Sequence, residues 1–193
     1  MTIDGCGDLL ATALARAACT APGGSPQART GQSILRMGTA YERDGRTFLA
    51  SGDPVNALAA FLYGLGWVHC GSASGLLVLP EGRPGCPFST PADKVPASQY
   101  LKLDEKTGRY AHLLSTAISS VTPSPAAGTQ SHIFALQVLF IAGVYLQRGN
   151  REAAEGRLED GLSCFSYGHG WLDAGVECGL FTINANREIF TVD

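Results

Sequence analysis

Four histidines (His69, His112, His132, His169) and six cysteines (Cys6, Cys19, Cys70, Cys86, Cys164, Cys178) are the side chains best suited to hold a metal or move a proton. Structural zinc and iron–sulfur sites usually take two cysteines from one short loop, at C-x₂₋₄-C spacing. No two cysteines stand that close, so they read as buried thiols, which behave as small hydrophobes. The phosphate loop G-x₄-G-K-[ST] and the hydrolase patterns H-E-x-x-H and G-x-S-x-G are missing from the sequence. Gly64-Leu65-Gly66 is followed by the wrong spacing for a dinucleotide loop. What remains is an aromatic and polar set from two distant stretches: Tyr63, Trp67 and His69, then Tyr167, His169, Trp171 and Asp173. Brought together, these seven would line a ligand site. Joined by Cys70, the pair His69 and His169 with Asp173 would offer a metal site. The residues assign no catalytic role and imply no cofactor.

The two stretches are copies. Phe61-Leu-Tyr-Gly-Leu-Gly-Trp67 returns as Phe165-Ser-Tyr-Gly-His-Gly-Trp171, an offset of 104. At the same offset Tyr41 meets Tyr145, Gly45 meets Gly149, Gly52 meets Gly156, and Leu9-Leu10 meets Leu113-Leu114. Self-similarity over so long a register indicates a tandem duplication. The expected organisation is a first unit over 5–78, a Pro/Gly-rich linker over 79–97, a second unit over 98–182 and a tail over 183–193. At the aligned positions His69 falls on Asp173 and Leu65 on His169, so the polar roles look unshared between copies.

Each unit predicts three helices. The first runs Asp8 to Cys19, and Tyr100 to Val121 in the second copy, each ended by a Pro/Gly/Ser stretch that cannot continue a helix. The second helix carries Ile34, Met37, Tyr41, Gly45 and Phe48 at three-and-four spacing. Its copy, Ser131 to Glu155, is apolar on most faces and is expected at the centre of the core. Asp53 suits an N-cap and Pro54 the first helical position, so the third helix starts there. Gly64, Gly71 and Gly75 share one face of it, as Gly168, Gly175 and Gly179 do in the copy. Each costs a helix about 1 kcal/mol relative to alanine, so a close backbone approach between the two third helices is the expected compensation. The mixed charges from Arg148 to Asp160 read as a solvated surface. Ile189-Phe190-Thr191-Val192 reads as a docking extended segment.

The chain has 193 residues, 45% apolar and 16% charged, with 14 positive against 17 negative charges. Such a chain can bury a core without staples, and it lacks the basic footprint of a nucleic-acid binder. Residues 1–20 lack the pattern of a secretory signal, and Ile133 to Leu146 is too short to span a bilayer. The expectation is a cytoplasmic protein engaging neither nucleic acid nor membrane.

Gly168-His-Gly-Trp-Leu-Asp-Ala-Gly175, running into Cys178-Gly-Leu-Phe181, resembles an archaeal family catalogued as domain of unknown function 357. The likeness extends back through Tyr100-Leu-Lys-Leu103 and Tyr145. The first unit resembles the same family through Tyr41, Gly52-Asp53 and Ala57-Leu-Ala-Ala-Phe61. The resemblance implies an archaeal, all-helical, cytoplasmic protein and brings no activity, cofactor or catalytic residue. Two other likenesses fail: Arg109-x-x-His112 is shorter than the Arg-x₄₋₆-His motif of HEPN-class ribonucleases, and a period of 104 does not suit tetratricopeptide repeats. The sequence therefore predicts an all-α protein of two tandem three-helix units packed as a pseudo-two-fold bundle. Its expected role is a non-enzymatic interaction or scaffold module with a protein partner or a second copy. The alternative is a small-molecule or metal-binding protein, catalytic or not, with its site between the third helices.

Overall fold

Six α-helices form among the described residues, and local chemistry explains several of their ends. In the computed structural model, which describes residues 2–79 and 94–192, they are α1 Ile3–Arg16, α2 Pro26–Ala50, α3 Pro54–Ala73, α4 Tyr100–Ser119, α5 Gln130–Ala154 and α6 Leu158–Glu177. Asp53 caps α3 by accepting from Asn56 N at 3.1 Å, with Pro54 at the first position, as the sequence predicts. Thr2 caps α1 by accepting from Gly5 N at 2.9 Å, so this helix starts five residues before Asp8. It stops at Arg16 because Ala18–Cys19 (β1) pairs with Leu77–Val78 (β2). In the second unit α4 likewise stops at Ser119, and Val121–Pro123 (β3) pairs with Phe181–Ile183 (β4).

The two units repeat one another in detail. Both ladders are antiparallel, and Ala18↔Val78 becomes Thr122↔Thr182 at the offset of 104. The glycines with positive φ form three pairs at the same offset, including Gly75 (76°) and Gly179 (72°), which follow the ends of α3 and α6. The shared phenylalanines explain another pair. A Cβ on Gly45 would stand 2.3 Å from the Phe61 ring, and one on Gly149 2.4 Å from the Phe165 ring, so each glycine opens the slot its phenylalanine fills.

The third helices of the two units, α3 and α6, cross at the centre of the molecule, buried along nearly their whole length. Their backbones touch: a Cβ on Gly66 would stand 2.4 Å from Tyr167 O, and one on Gly170 2.2 Å from Tyr63 O. That reciprocity is the signature of a two-fold relation. The glycines at the crossing differ from those expected. Gly64 and Gly71 face Leu10, Tyr41 and Ile34 of their own unit, and Gly168 and Gly175 face Leu114, Tyr145 and Val138 of theirs. The shared face located close packing at Gly64, Gly71, Gly168 and Gly175 but assigned it to the wrong neighbour. Gly75 and Gly179 lie beyond the helix ends, where an added Cβ meets nothing.

Three further expectations change. Helix α5 packs on α6 from one side and leaves Ile133, Leu136, Phe140 and Val144 exposed, so it is peripheral rather than central. The charges from Arg148 to Asp160 are not all solvated. Glu152 is buried with Arg157 Nη2 at 2.5 Å, and buried Glu159 accepts from Val95 N at 3.2 Å. The tail docks as expected at Phe190, which is buried, but Arg187–Ile189 before it forms a 3₁₀ turn. Most of the expected linker, residues 80–93 with Cys86, lies outside the described residues.

Candidate ligand-binding site

Crossing at the two central glycines brings Tyr63 and Tyr167 each to the opposite unit. Tyr63 Oη donates to Asp173 Oδ2 and lies 3.0 Å from Thr191 Oγ1. Thr191 N donates to the same carboxylate oxygen at 3.2 Å, which ties the tail to the crossing. His169 Nε2 faces the other carboxylate oxygen at 3.6 Å. On the opposite side Tyr167 Oη is 2.8 Å from His69 Nδ1. His69 and Asp173 are 104 apart, so both hold the same post, partner to the other unit's tyrosine. The post is shared between copies and only its chemistry differs. Burial pushes the Asp173 carboxyl up, while His169 and the bonds from Tyr63 and Thr191 pull the other way. Burial and the nearby Asp173 charge hold the Tyr63 phenol well above its usual range.

The seven predicted residues do not share one cavity. Tyr63 and His169 open onto the cavity described below, Asp173 sits behind Tyr63, and His69 and Tyr167 pair on the far side. Trp67 borders a separate cavity of about 340 Å³ with Met37 and Phe190, and Trp171 is buried. The indole N–H of each tryptophan has no acceptor among the described residues. No group of three or more His, Cys, Asp or Glu is placed to hold a metal ion among the described residues. His69 and His169 lean on Tyr167 and Asp173, not on Cys70, whose thiol burial pushes well up.

The cavity that Tyr63 and His169 reach has a volume of about 360 Å³ and lies between the units. Helix α2 contributes Tyr41, α3 contributes Asn56 and Tyr63, α4 contributes Lys106 and Tyr110, and the tail contributes Thr191. The Tyr41 and Tyr63 rings lie against each other, tilted by 54° with centroids 4.5 Å apart. Lys106 is 7% exposed; its amine donates to Asn56 Oδ1 and sits 4.7 Å over the Tyr110 ring. Among the described residues no carboxylate reaches hydrogen-bond or ion-pair distance of that amine. Burial first, and the neighbouring Arg109 and Lys102 charges after it, lower its pKa to about 8. It is still mostly protonated at neutral pH. The sequence carried a signal for it: Leu103, Lys106, Thr107, Tyr110 and Leu114 recur at three-and-four spacing, the inward face of α4. The run Asp104-Glu105-Lys106 hid that signal, because a charge cluster reads as solvated.

The family model described as "Protein of unknown function (DUF357)" matches twice, over residues 7–77 and 109–181. No curated protein and no solved structure matches the chain. Each matched stretch runs from within the first helix of a unit to the strand that closes it, so the chain belongs to the DUF357 family as a tandem duplication of its three-helix unit.

Proposed function

We propose that this protein binds a small organic anion, a carboxylate with a planar apolar body, in the cavity between its units. The observation that carries the reading is Lys106. A buried ammonium without a counter-charge is unfavourable, and proteins ordinarily pair such a group or neutralise it. Its direct contacts are a neutral amide and an aromatic face, and Asp53 and Glu105 attract it only from beyond ion-pair distance. A ligand carboxylate would complete the pair, and the Tyr41, Tyr63 and Tyr110 rings would cover its body. A volume of about 360 Å³ suits a molecule of one or two rings.

The test is a thermal-shift series with aromatic carboxylates, their amides and matched aromatic ammonium compounds, on the parent and on Lys106→Met. A ligand at 100 times its Kd adds about 2.7 kcal/mol to stability, a shift readily seen. Carboxylates should raise the melting temperature of the parent alone, while unliganded Lys106→Met melts at or above the parent because an uncompensated charge is gone. Carboxylates silent on the parent, or equally effective on Lys106→Met, would refute the reading. Stabilisation by the ammonium compounds instead would assign the cavity to cations, through Asp44 at its edge. The interaction-module reading rests on a separate observation, the uncovered face of α5.

A further inference from the structure

The outer face of α5 has an internal control. Ile133, Leu136, Phe140 and Val144 lie between 42% and 72% exposed, in register at three-and-four spacing. Their counterparts on α2, 104 residues earlier, are Arg29, Gln32, Arg36 and Ala40. Both helices occupy the same place in the same fold, α2 against α3 and α5 against α6. The fold therefore places no apolar demand on this face: the first unit covers it with two arginines and a glutamine. In the second unit, by contrast, no Asp, Glu, Lys or Arg occurs from Gln130 to Gln147. Large apolar side chains that the fold does not need, set in a row and facing water, indicate that something covers them.

We propose that a second copy of this chain covers them, the two α5 helices packing antiparallel about a two-fold axis near Phe140. The area fits. At their observed exposures the four side chains leave on the order of 400 Å² of apolar surface in water. A standard interface takes about 800 Å² from each partner, somewhat more than half of it apolar. Flanking Gln137 and Gln147, both exposed, supply a polar rim. The shape also fits a self-complementary contact. Gly143, where an added Cβ would meet nothing, leaves a notch beside Phe140 that a partner's ring can enter. An uncharged row gives a charged peptide or an anionic surface no partner group. The window Ile133 to Leu146 is too short to span a bilayer. The whole helix Gln130–Ala154 is long and apolar enough by length and composition, so a lipid surface is the competing occupant.

Sedimentation equilibrium of the full chain across a concentration series tests the proposal, beside Phe140→Arg and Leu136→Gln. These place on α5 what α2 already carries at Arg36 and Gln32, so the fold tolerates them, and circular dichroism checks that it has. The parent should sediment at twice the chain mass, and both variants at the chain mass with an unchanged helical spectrum. A monomeric parent overturns the proposal. A dimer that survives both substitutions also overturns it by placing the interface elsewhere. Co-flotation of a monomeric parent with phosphatidylcholine vesicles, lost in Phe140→Arg, overturns it in favour of lipid.

Discussion

Substituting Gly170 with alanine tests the crossing of α3 and α6 directly, because the atoms in the way cannot yield. The new Cβ would lie 2.2 Å from Tyr63 O and 3.3 Å from the Gly66 Cα, all backbone of a buried helix. Ordinary contact starts near 3.4 Å. The two helices must therefore part by about 1 Å, and dispersion contacts weaken steeply over such a gap. Separation also stretches the bonds Tyr63–Asp173 and Tyr167–His69 that span the crossing. Overpacking a core costs about 1–3 kcal/mol, and an unyielding backbone contact belongs at the top of that range. Alanine returns about 1 kcal/mol of helix propensity. The net expectation is a loss of about 2 kcal/mol, or a melting temperature lower by roughly 4–8 °C in a chain of this size. Gly108 is the matched control: it is exposed within α4 and an added Cβ meets nothing, so Gly108→Ala should raise the melting temperature through propensity alone. Thermal melts followed by circular dichroism read both variants. If Gly170→Ala melts with or above the parent, the helices do not touch there and the inter-unit geometry is wrong.

Two further outcomes follow from the buried ionisable groups. Asp173→Asn keeps an acceptor for Tyr63 and Thr191 and removes a buried charge, so at neutral pH it should melt at or above the parent, while Asp173→Ala strands both donors and should cost about 1–3 kcal/mol. Because the folded carboxyl titrates above the 3.8 of an unfolded aspartate, the parent should gain stability on Asp173→Asn as pH falls from neutral through that raised value. For Lys106 the sign is opposite in pH. Its amine binds a proton less readily when folded, at about 8 against 10.5, so the parent should gain on Lys106→Met as pH rises between those values. The gain is on the order of 1–2 kcal/mol, since water in the cavity screens part of the shift. Taking the difference between the two proteins cancels the tyrosines and cysteines that ionise in the same range. A flat difference in chemical denaturation across pH 8 to 10.5 would show that Lys106 is solvated.

The duplication and the six helices were legible because their signals are local or repeat along the chain. Asp53-Pro54 marks a helix start whatever packs above it, and an offset of 104 needs only comparison. What escaped was the identity of neighbours. Periodicity shows that Gly64 and Gly71 lie on a crowded face of α3, but not whether Leu10 and Ile34 or the other unit does the crowding. Gly66, two residues on and so on the opposite face of the helix, carries the crossing. Helix α5 was misplaced for a related reason: apolar residues on most faces indicate burial only if the chain itself supplies the cover. The seven aromatic and polar residues all stand on the crossing helices, but a helix interface divides its side chains between two sides. Only Tyr63 and His169 of the seven therefore reach the cavity with Lys106.

A tandem duplication also separates what the fold requires from what it permits. Residues that recur at the offset do structural work twice: Phe61 and Phe165 in their glycine slots, Gly66 and Gly170 at the crossing, Gly75 and Gly179 ending the third helices. Equivalent positions that differ are free of that demand, and both proposals rest on such positions. Lys106 and Tyr110 stand where the first unit has Thr2 and Cys6, and Asn56 stands where the second has Asp160. The buried amine with a neutral partner thus exists on one side of the pseudo-two-fold and not on the other. The α5 face is apolar where α2 is cationic. Function grafted onto a fold is expected at positions the fold leaves free. Exchanging the copies there, as Phe140→Arg does, should remove the associated property while leaving six helices intact; a variant of that kind that unfolds would show that the two units are not interchangeable in structure.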